Sequence, residues 1–446
     1  MTRIKIAPRL PAVPTGLSRR RLFVAAMLGL ATGVQLWAPV PAAAQNVVEI
    51  AYATFLDPNN KADPRAAAQM RMIEAFEKAN PAIKVRVVVD PTQGASLRAL
   101  RSRADSPDVA RFANWSTAEV VATGSVLQLD DLIKRDKVSE TDWLIPLAET
   151  KFSGKIYGMQ QDYRIPVLLY RKGLLQKDGV VPPTTWDEVC AAGGKLNHDG
   201  VTGYAVPLGS SGGVGGAQPL AENLFSSMVA ENSRKYFADD GREFQGTRDD
   251  VVRAAQMIKD LYGKCKATPA TNAQFGYNET HDGLRAGTIA QATYGLFRFR
   301  AIQSGGAGDD LGWAPPPAFK PNGKMVTYGY QLMVNANSPR REAAWALTKF
   351  MTSPEGQAIA AEGGEVVARR SAYDAPYFKL PDAANQLAWA ELIKARGHMV
   401  NYSIIASTFN TILGDAMVRM VLRNGSPEDA YTEIKTKYDE ALKKVQ

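Results

Sequence analysis

From Val47 onward the chain alternates between two hydrophobic spacings. "VVEIAYA" (47–53) is an apolar run of strand length, and "DPRAAAQMRMIEAFEKANP" (63–81) turns to a helical period, with Met70, Ile73 and Phe76 on one side and Asn80-Pro81 as its stop. "IKVRVVVD" (83–90) reads as a second strand, a basic helical stretch follows, and "PDVARFA" (107–113) reads as a third strand. Strands and helices exchanged at this interval predict an α/β protein of mostly parallel sheets with helices on both faces.

The later half is broken by Pro- and Gly-rich stretches, "VPPTT", "GSSGGVGG", "SGGAGDD" and "APPPAFKPNGK". Capped helices lie between them: Thr185-Trp186-Asp187-Glu188 fits a capping box, and Ser353-Pro354 and Ser426-Pro427 each set a cap residue before a proline at the first helical position. Heptads, repeats of 20–50 residues and low-complexity tails are missing, and "SPEDAYTEIKTKYDEALKKV" predicts a helix close to the last residue. With 446 residues, 45% hydrophobic and 22% charged, the chain can build two or three cores, which excludes disorder and fibre.

Charge changes the picture only once its distribution is considered. Residues 1–44 hold six basic side chains and no acid, so a formal net charge of +8 falls to +2 for the remainder, and the basicity is no argument for nucleic acid. That leader runs from "SRRRLF" through an apolar stretch, Val24 to Trp37, to Ala42-Ala43-Ala44 before Gln45. It is too short for a membrane span and has the order of an export signal cleaved near Ala44-Gln45, the alternative being an uncleaved anchor. Arg19-Arg20-Arg21 before Leu22-Phe23 fits the twin-arginine route, the alternative being an ordinary positive leader. The expected location is the periplasm. Cys190 and Cys265, the two cysteines of the chain, would there form one disulfide or stay as buried thiols.

Candidate chemistry starts with Gly209-Ser210-Ser211-Gly212-Gly213, which spells G-x-S-x-G. A nucleophile elbow needs a strand, here "TGYAVPL", then a helix at once; instead glycines and Pro219 delay the helical pattern to Ala221, leaving a Gly/Ser loop able to approach a ligand. His198, His281 and His398 have no metal-ligand spacing, a P-loop is missing, and no cofactor is expected. Carboxylate pairs such as Asp130-Asp131 single out no glycosidase site. What stands out is aromatic residues beside polar ones at predicted strand ends: Phe112, Asn114 and Trp115; Asp162, Tyr163 and Arg164; Tyr294, Phe297 and Arg298; Tyr328, Gly329 and Tyr330. Aromatic faces cover the C–H faces of sugars while amides, guanidinium and carboxyl groups bond the hydroxyls.

Several stretches resemble the family 1 extracellular solute-binding proteins, the maltose-binding-protein-like sugar receptors of ABC importers. They are "AFEKANPAIKVRV", "SPDVARFANWSTAEVVATGSVLQLDDLI", "GKIYGMQQDYRIPVLLYRKGLL" with "VPPTTWDEV", and "YGYQLMVNANSPRREAAWALTKFMTSPEGQAIAAEGGEVVARRSAYD". Their order and spacing cover nearly all the chain beyond the leader. The resemblance implies two α/β lobes, 45–163 with 329–374 and 164–328 with 375–446, joined by hinge crossovers and closing on a ligand. It also implies a partner, the permease of an ABC importer, and a monomeric receptor that is not an enzyme, binds no nucleic acid and is not embedded in the membrane. Ligand contacts carried over by position are Phe112, Asn114, Trp115, Asp162, Tyr163, Arg164, Ser210, Ser211, Tyr294, Phe297, Arg298, Tyr328, Gly329, Tyr330 and Arg369. The expected ligand is a di- or oligosaccharide. Arg164, Arg298 and Arg369 make an acidic or phosphorylated sugar the second choice, and an exported serine or glycoside hydrolase is the alternative function.

Overall fold

The computed structural model describes residues 47–61, 63–211, 220–231, 237–399 and 402–445; the leader and the glycines after Ser211 lie outside them. Val48–Thr54 (β1) runs parallel to Ile83–Val89 (β2), and Val109–Ala113 (β3) joins the other side of β1 through Tyr52 and Ala53. The crossover helix Pro64–Ala79 starts where the Asp63 side chain accepts the Arg65 N–H and Pro64 fills a position that needs no donor. Its buried stripe includes Met72, Ile73 and Phe76. Met72, not Met70, faces the core squarely, because it stands four residues before Phe76 on the same face.

The remaining strands are Met159–Arg164 (β4), Pro166–Arg171 (β5), Gln291–Gly295 (β6), Leu311–Ala314 (β7), Met325–Val334 (β8), Val366–Val367 (β9) and Gly397–Met399 (β10). One sheet has the order β2-β1-β3-β8-β4-β9, with β10 on the start of β8; the other is β6-β5-β7. This corrects the expectation of mostly parallel sheets. The β1–β2, β1–β3 and β8–β10 pairs are parallel, whereas β3–β8, β4–β8, β4–β9, β5–β6 and β5–β7 are antiparallel. β8 joins β3, and β4 joins β8, by antiparallel pairing, which needs no helical crossover between neighbours.

Ile165 alone separates β4 from β5, so the chain steps from one sheet to the other in one residue. β8 lies between β3 and β4, and the fit there is tight: a Cβ on Gly329 would stand 2.1 Å from the Asp162 carbonyl oxygen. Glycine at this position therefore serves strand packing. The capping box predicted at Thr185 forms with Glu188, and Ser353 and Ser426 cap their helices through Gly356 and Asp429 N–H. "TGYAVPL" is not a strand; Thr202 makes one isolated bridge to Ile289, and the rest is irregular because its N–H groups are tied to scattered carbonyls such as Ala267 and Gln291.

Cys190, on the helix Trp186–Leu196, is bonded to Cys265, just past the helix Arg248–Tyr262, across a separation of 75 residues. Closing a loop of that length in the unfolded chain stabilises the fold by about 4 kcal/mol in the chain-entropy account. The double variant Cys190→Ala, Cys265→Ala should melt several degrees lower by calorimetry, and unchanged melting would mean the bridge adds nothing to stability.

Candidate ligand-binding site

The site is built around four buried charges, one on β3, two on β4 and one just before β9. Arg111 on β3 donates to the Asp162 carboxylate on β4 and lies 3.2 Å from Glu365, just before β9. Arg164, two residues along β4 from Asp162, stands 3.3 Å from Asp162 and 3.5 Å from Glu365. All four are buried, and the two positive and two negative charges balance. Such a group holds together because each ion removed from water keeps a partner, and deleting one partner costs about 3–5 kcal/mol.

Burial would raise the Glu365 carboxyl, but Arg164, Arg111 and Arg65 outweigh it and hold it down at about 2. Burial pushes Asp162 up, Glu365 adds to that, and the two arginines hold it partly back. Both guanidinium groups are raised: burial would lower them, but the carboxylates win.

Three partly exposed aromatic rings cover these ions. The Arg164 guanidinium is 4.5 Å from the ring centroids of both Phe297 and Tyr330, and Arg111 is 4.8 Å from Phe55 and 5.0 Å from Tyr330. Phe55 and Tyr330 also pack on each other at 4.7 Å. Phe55 follows β1 and Tyr330 is in the middle of β8, both of the first sheet, and Phe297 follows β6 of the second. Beside them opens a cavity of about 260 Å³, walled by Asp63, Arg65 and Glu365 from the first sheet's side and by Phe297, Arg298 and Arg300 from the second's. Aromatic faces next to charged and polar groups can hold a polar ligand with apolar faces.

A second polar network ties β8 to the helical segment Leu220–Phe225 and the helix Tyr277–Ala286. Tyr328 Oη donates to Asn223 Oδ1 (2.9 Å), Asn223 Nδ2 donates to Tyr277 Oη (3.1 Å), and Tyr277 Oη donates to the Glu222 carboxylate. Burial, and then Glu222, push the Tyr277 and Tyr328 hydroxyls well above the usual tyrosine range.

The residues expected from sequence are divided by this arrangement. Asp162, Arg164, Phe297, Arg298 and Tyr330 gather at the ion cluster and its cavity. Asn114 stands close by, its Oδ1 accepting from Gly329 N–H (3.1 Å), and Trp115 packs beside Tyr330 with its indole N–H buried and unbonded. Tyr328 belongs to the second network.

The others lie elsewhere. Phe112 is in the core with Ala53, Leu100 and Met333, since neighbours on a strand point to opposite faces and Arg111 takes the site side. Tyr163 points to the opposite face from Asp162 and donates to the Ile145 carbonyl; Tyr294 is buried and donates to the Tyr277 carbonyl. Arg369 lies over the Trp143 ring at 4.5 Å and donates to the Ser139 carbonyl, with no contact to the ion cluster. Ser210 is exposed. Ser211 Oγ donates to Glu279, and its carbonyl accepts the Tyr277 N–H (2.8 Å), fastening the loop to the helix Tyr277–Ala286. Among the described residues no histidine bonds Ser211, and no three His, Cys, Asp or Glu side chains are set to hold a metal ion.

Arg111, Glu365, Phe55 and Arg65 were missed. A signal existed for two of them: Arg111 is a lone charge within "VARFA", and Glu365 is a lone charge before "VVA", and charges inside buried apolar strands require partners.

The model of the bacterial extracellular solute-binding proteins matches residues 59–358. The chain belongs to that family. It is 25% identical over 300 residues to an uncharacterized ABC transporter extracellular-binding protein of Pyrococcus horikoshii, covering 66% of each chain. It is 27% identical over 235 residues to the arabinooligosaccharide-binding protein of Bacillus subtilis, covering 50% of each. The chain spans just under two thirds of the length of the first curated relatives it matches. Among solved structures, the GacH receptor of Streptomyces glaucescens, studied unliganded and with acarbose, superposes with a TM-score of 0.72 over 89% of this chain and 99% of that one, at 21% identity. That likeness shows the fold: two lobes of α/β structure, with sheets flanked by helices.

The pairing of Glu365 sets an acid limit. Its carboxyl falls from an ordinary value of 4.5 to about 2 on folding, so its contribution is complete above about 4.5 and is lost as pH drops through 2. Glu365→Gln should therefore be less stable than the native chain by about 3–5 kcal/mol near neutral pH. That difference should narrow between pH 4.5 and 2 in denaturant titrations, and a gap independent of pH would remove Glu365 from the ion cluster.

Proposed function

We propose that this protein is the substrate-binding receptor of an ABC importer and takes a di- or oligosaccharide between its two sheets. The carrying observation is the cavity lined by Phe297, Arg298 and Glu365, adjoining the ion cluster whose Arg164 lies against both Phe297 and Tyr330. A pyranose ring can lie on such an aromatic face while guanidinium and carboxylate groups bond its hydroxyls. Family membership and the sugars named for the Bacillus and Streptomyces proteins support the same class.

The lobe boundaries proposed are 45–163 with 329–374 and 164–328 with 375–446. The leader at 1–44 fits export, twin-arginine or otherwise, to the periplasm, where the mature chain acts as a monomer and hands ligand to a membrane permease. Ligand touching both lobes favours the closed form by its differential affinity. Among the described residues no helix is long and apolar enough to cross a membrane. The hydroxyl of Ser211, engaged with Glu279 at a helix start, supports a receptor over a serine hydrolase.

A thermal-shift screen of neutral oligosaccharides, sugar acids, sugar phosphates and polyols tests the reading. At 100 times its dissociation constant a ligand adds about 2.7 kcal/mol, which raises the melting point by several degrees. The bound sugar should be recovered intact by mass spectrometry; cleaved product would favour the hydrolase. Phe297→Ala should weaken binding by about tenfold, the worth of one aromatic face, and unchanged affinity would remove the ring from the ligand's path.

A further inference from the structure

The arginines of the cavity and of the adjoining ion cluster are not equivalent. Arg65 is bonded to Asp63 through Nε (2.9 Å) and a terminal nitrogen (2.7 Å). Arg111 and Arg164 share Asp162 and Glu365. Arg300 donates to the Asp382 carbonyl (2.7 Å), Tyr377 Oη (3.1 Å) and Gln386 Oε1 (3.2 Å). Arg298 forms no ion pair and no hydrogen bond with any described residue, and its Nε is buried without a partner.

Arg298 is held in this condition by its surroundings. Its guanidinium lies 5.6 Å from the ring centroids of both Tyr277 and Phe297, faces that attract a cation but accept no conventional hydrogen bond. The acids nearby on the helix Tyr277–Ala286 are committed: Glu279 to Ser211 and Gly276, Asp282 to Arg285 (3.1 Å). A guanidinium taken partly out of water with its planar fork unfilled is incomplete, and the fork matches an oxyanion better than a single hydroxyl.

We infer that Arg298 reads a carboxylate or phosphate on the ligand, so that the sugar accepted in this cavity is anionic. This inference rests on the carbohydrate-receptor reading and narrows it. Two of the arginines that suggested an acidic ligand from sequence drop out, Arg164 because carboxylates already neutralise it and Arg369 because it lies against Trp143; Arg298 remains.

The test compares matched pairs on the whole receptor by calorimetry: digalacturonate against galactobiose, and glucose 1-phosphate against glucose. The acidic member of at least one pair should bind about tenfold to a hundredfold tighter than its neutral parent, the worth of a charged hydrogen-bond pair. The uronate and phosphate arms separate the two sources of negative charge. Arg298→Gln should bring that ratio close to one, while Arg298→Lys, which keeps the charge but loses the fork, should restore part of it. Circular dichroism checks that each variant is folded. Neutral parents binding as well as or better than acids would overturn the inference and leave the carbohydrate reading standing. Failure of every sugar in the panel to bind would overturn both.

Discussion

Two guanidinium groups and two carboxylates, Arg111, Asp162, Arg164 and Glu365, are buried together where β3, β4 and the approach to β9 converge. None could be buried alone, because the cost of removing a lone ion from water exceeds what a single packing contact returns. Their mutual requirement links the strand order of the first sheet to the site. β8 must lie between β3 and β4 for Tyr330 to cover both arginines, and the Tyr330 N–H itself bonds Asp162 (3.1 Å). Strand register and the charge balance of the candidate site are therefore one constraint.

The second sheet contributes what the quartet lacks. Phe297 reaches across to lie on Arg164, and Arg298 beside it brings a charge with no internal counterpart. Paired ions on one side and an unpaired one on the other make the cavity electrostatically asymmetric. The balanced ions need no further partner. The fork of Arg298 is left for a group that no protein carboxylate supplies, as the proposed anionic ligand would.

The serine loop shows how the same residues can suggest different chemistry. Gly-x-Ser-x-Gly is a nucleophile signature only on a turn that aims the hydroxyl at a base and is followed at once by a helix. Ser211 instead faces Glu279 and helps fasten a helix start, which is the work of a capping residue.

Local patterns were enough to determine the first β-α-β passage, the capping box at Thr185 and the proline-capped helix starts at Ser353 and Ser426, because these depend on neighbours within one turn or one strand. Some residues of the candidate site, Asp162, Arg164, Phe297, Arg298 and Tyr330, could be picked out too, because aromatic and charged residues adjoin there at strand ends. Which face each residue took was not. On β3 the choice between Arg111 and Phe112 turns on a strand's alternation of faces, and only the placement of Met333 and Leu100 against Phe112 settles it. Arg369 looked like its fellow arginines in sequence and came to lie on Trp143 instead, and Glu365 joined Arg111 across 254 residues. Antiparallel entry of β8 likewise depends on where a distant strand arrives. Periodicity reports the nearest few residues; partners separated by hundreds of positions are chosen by burial and charge balance in three dimensions.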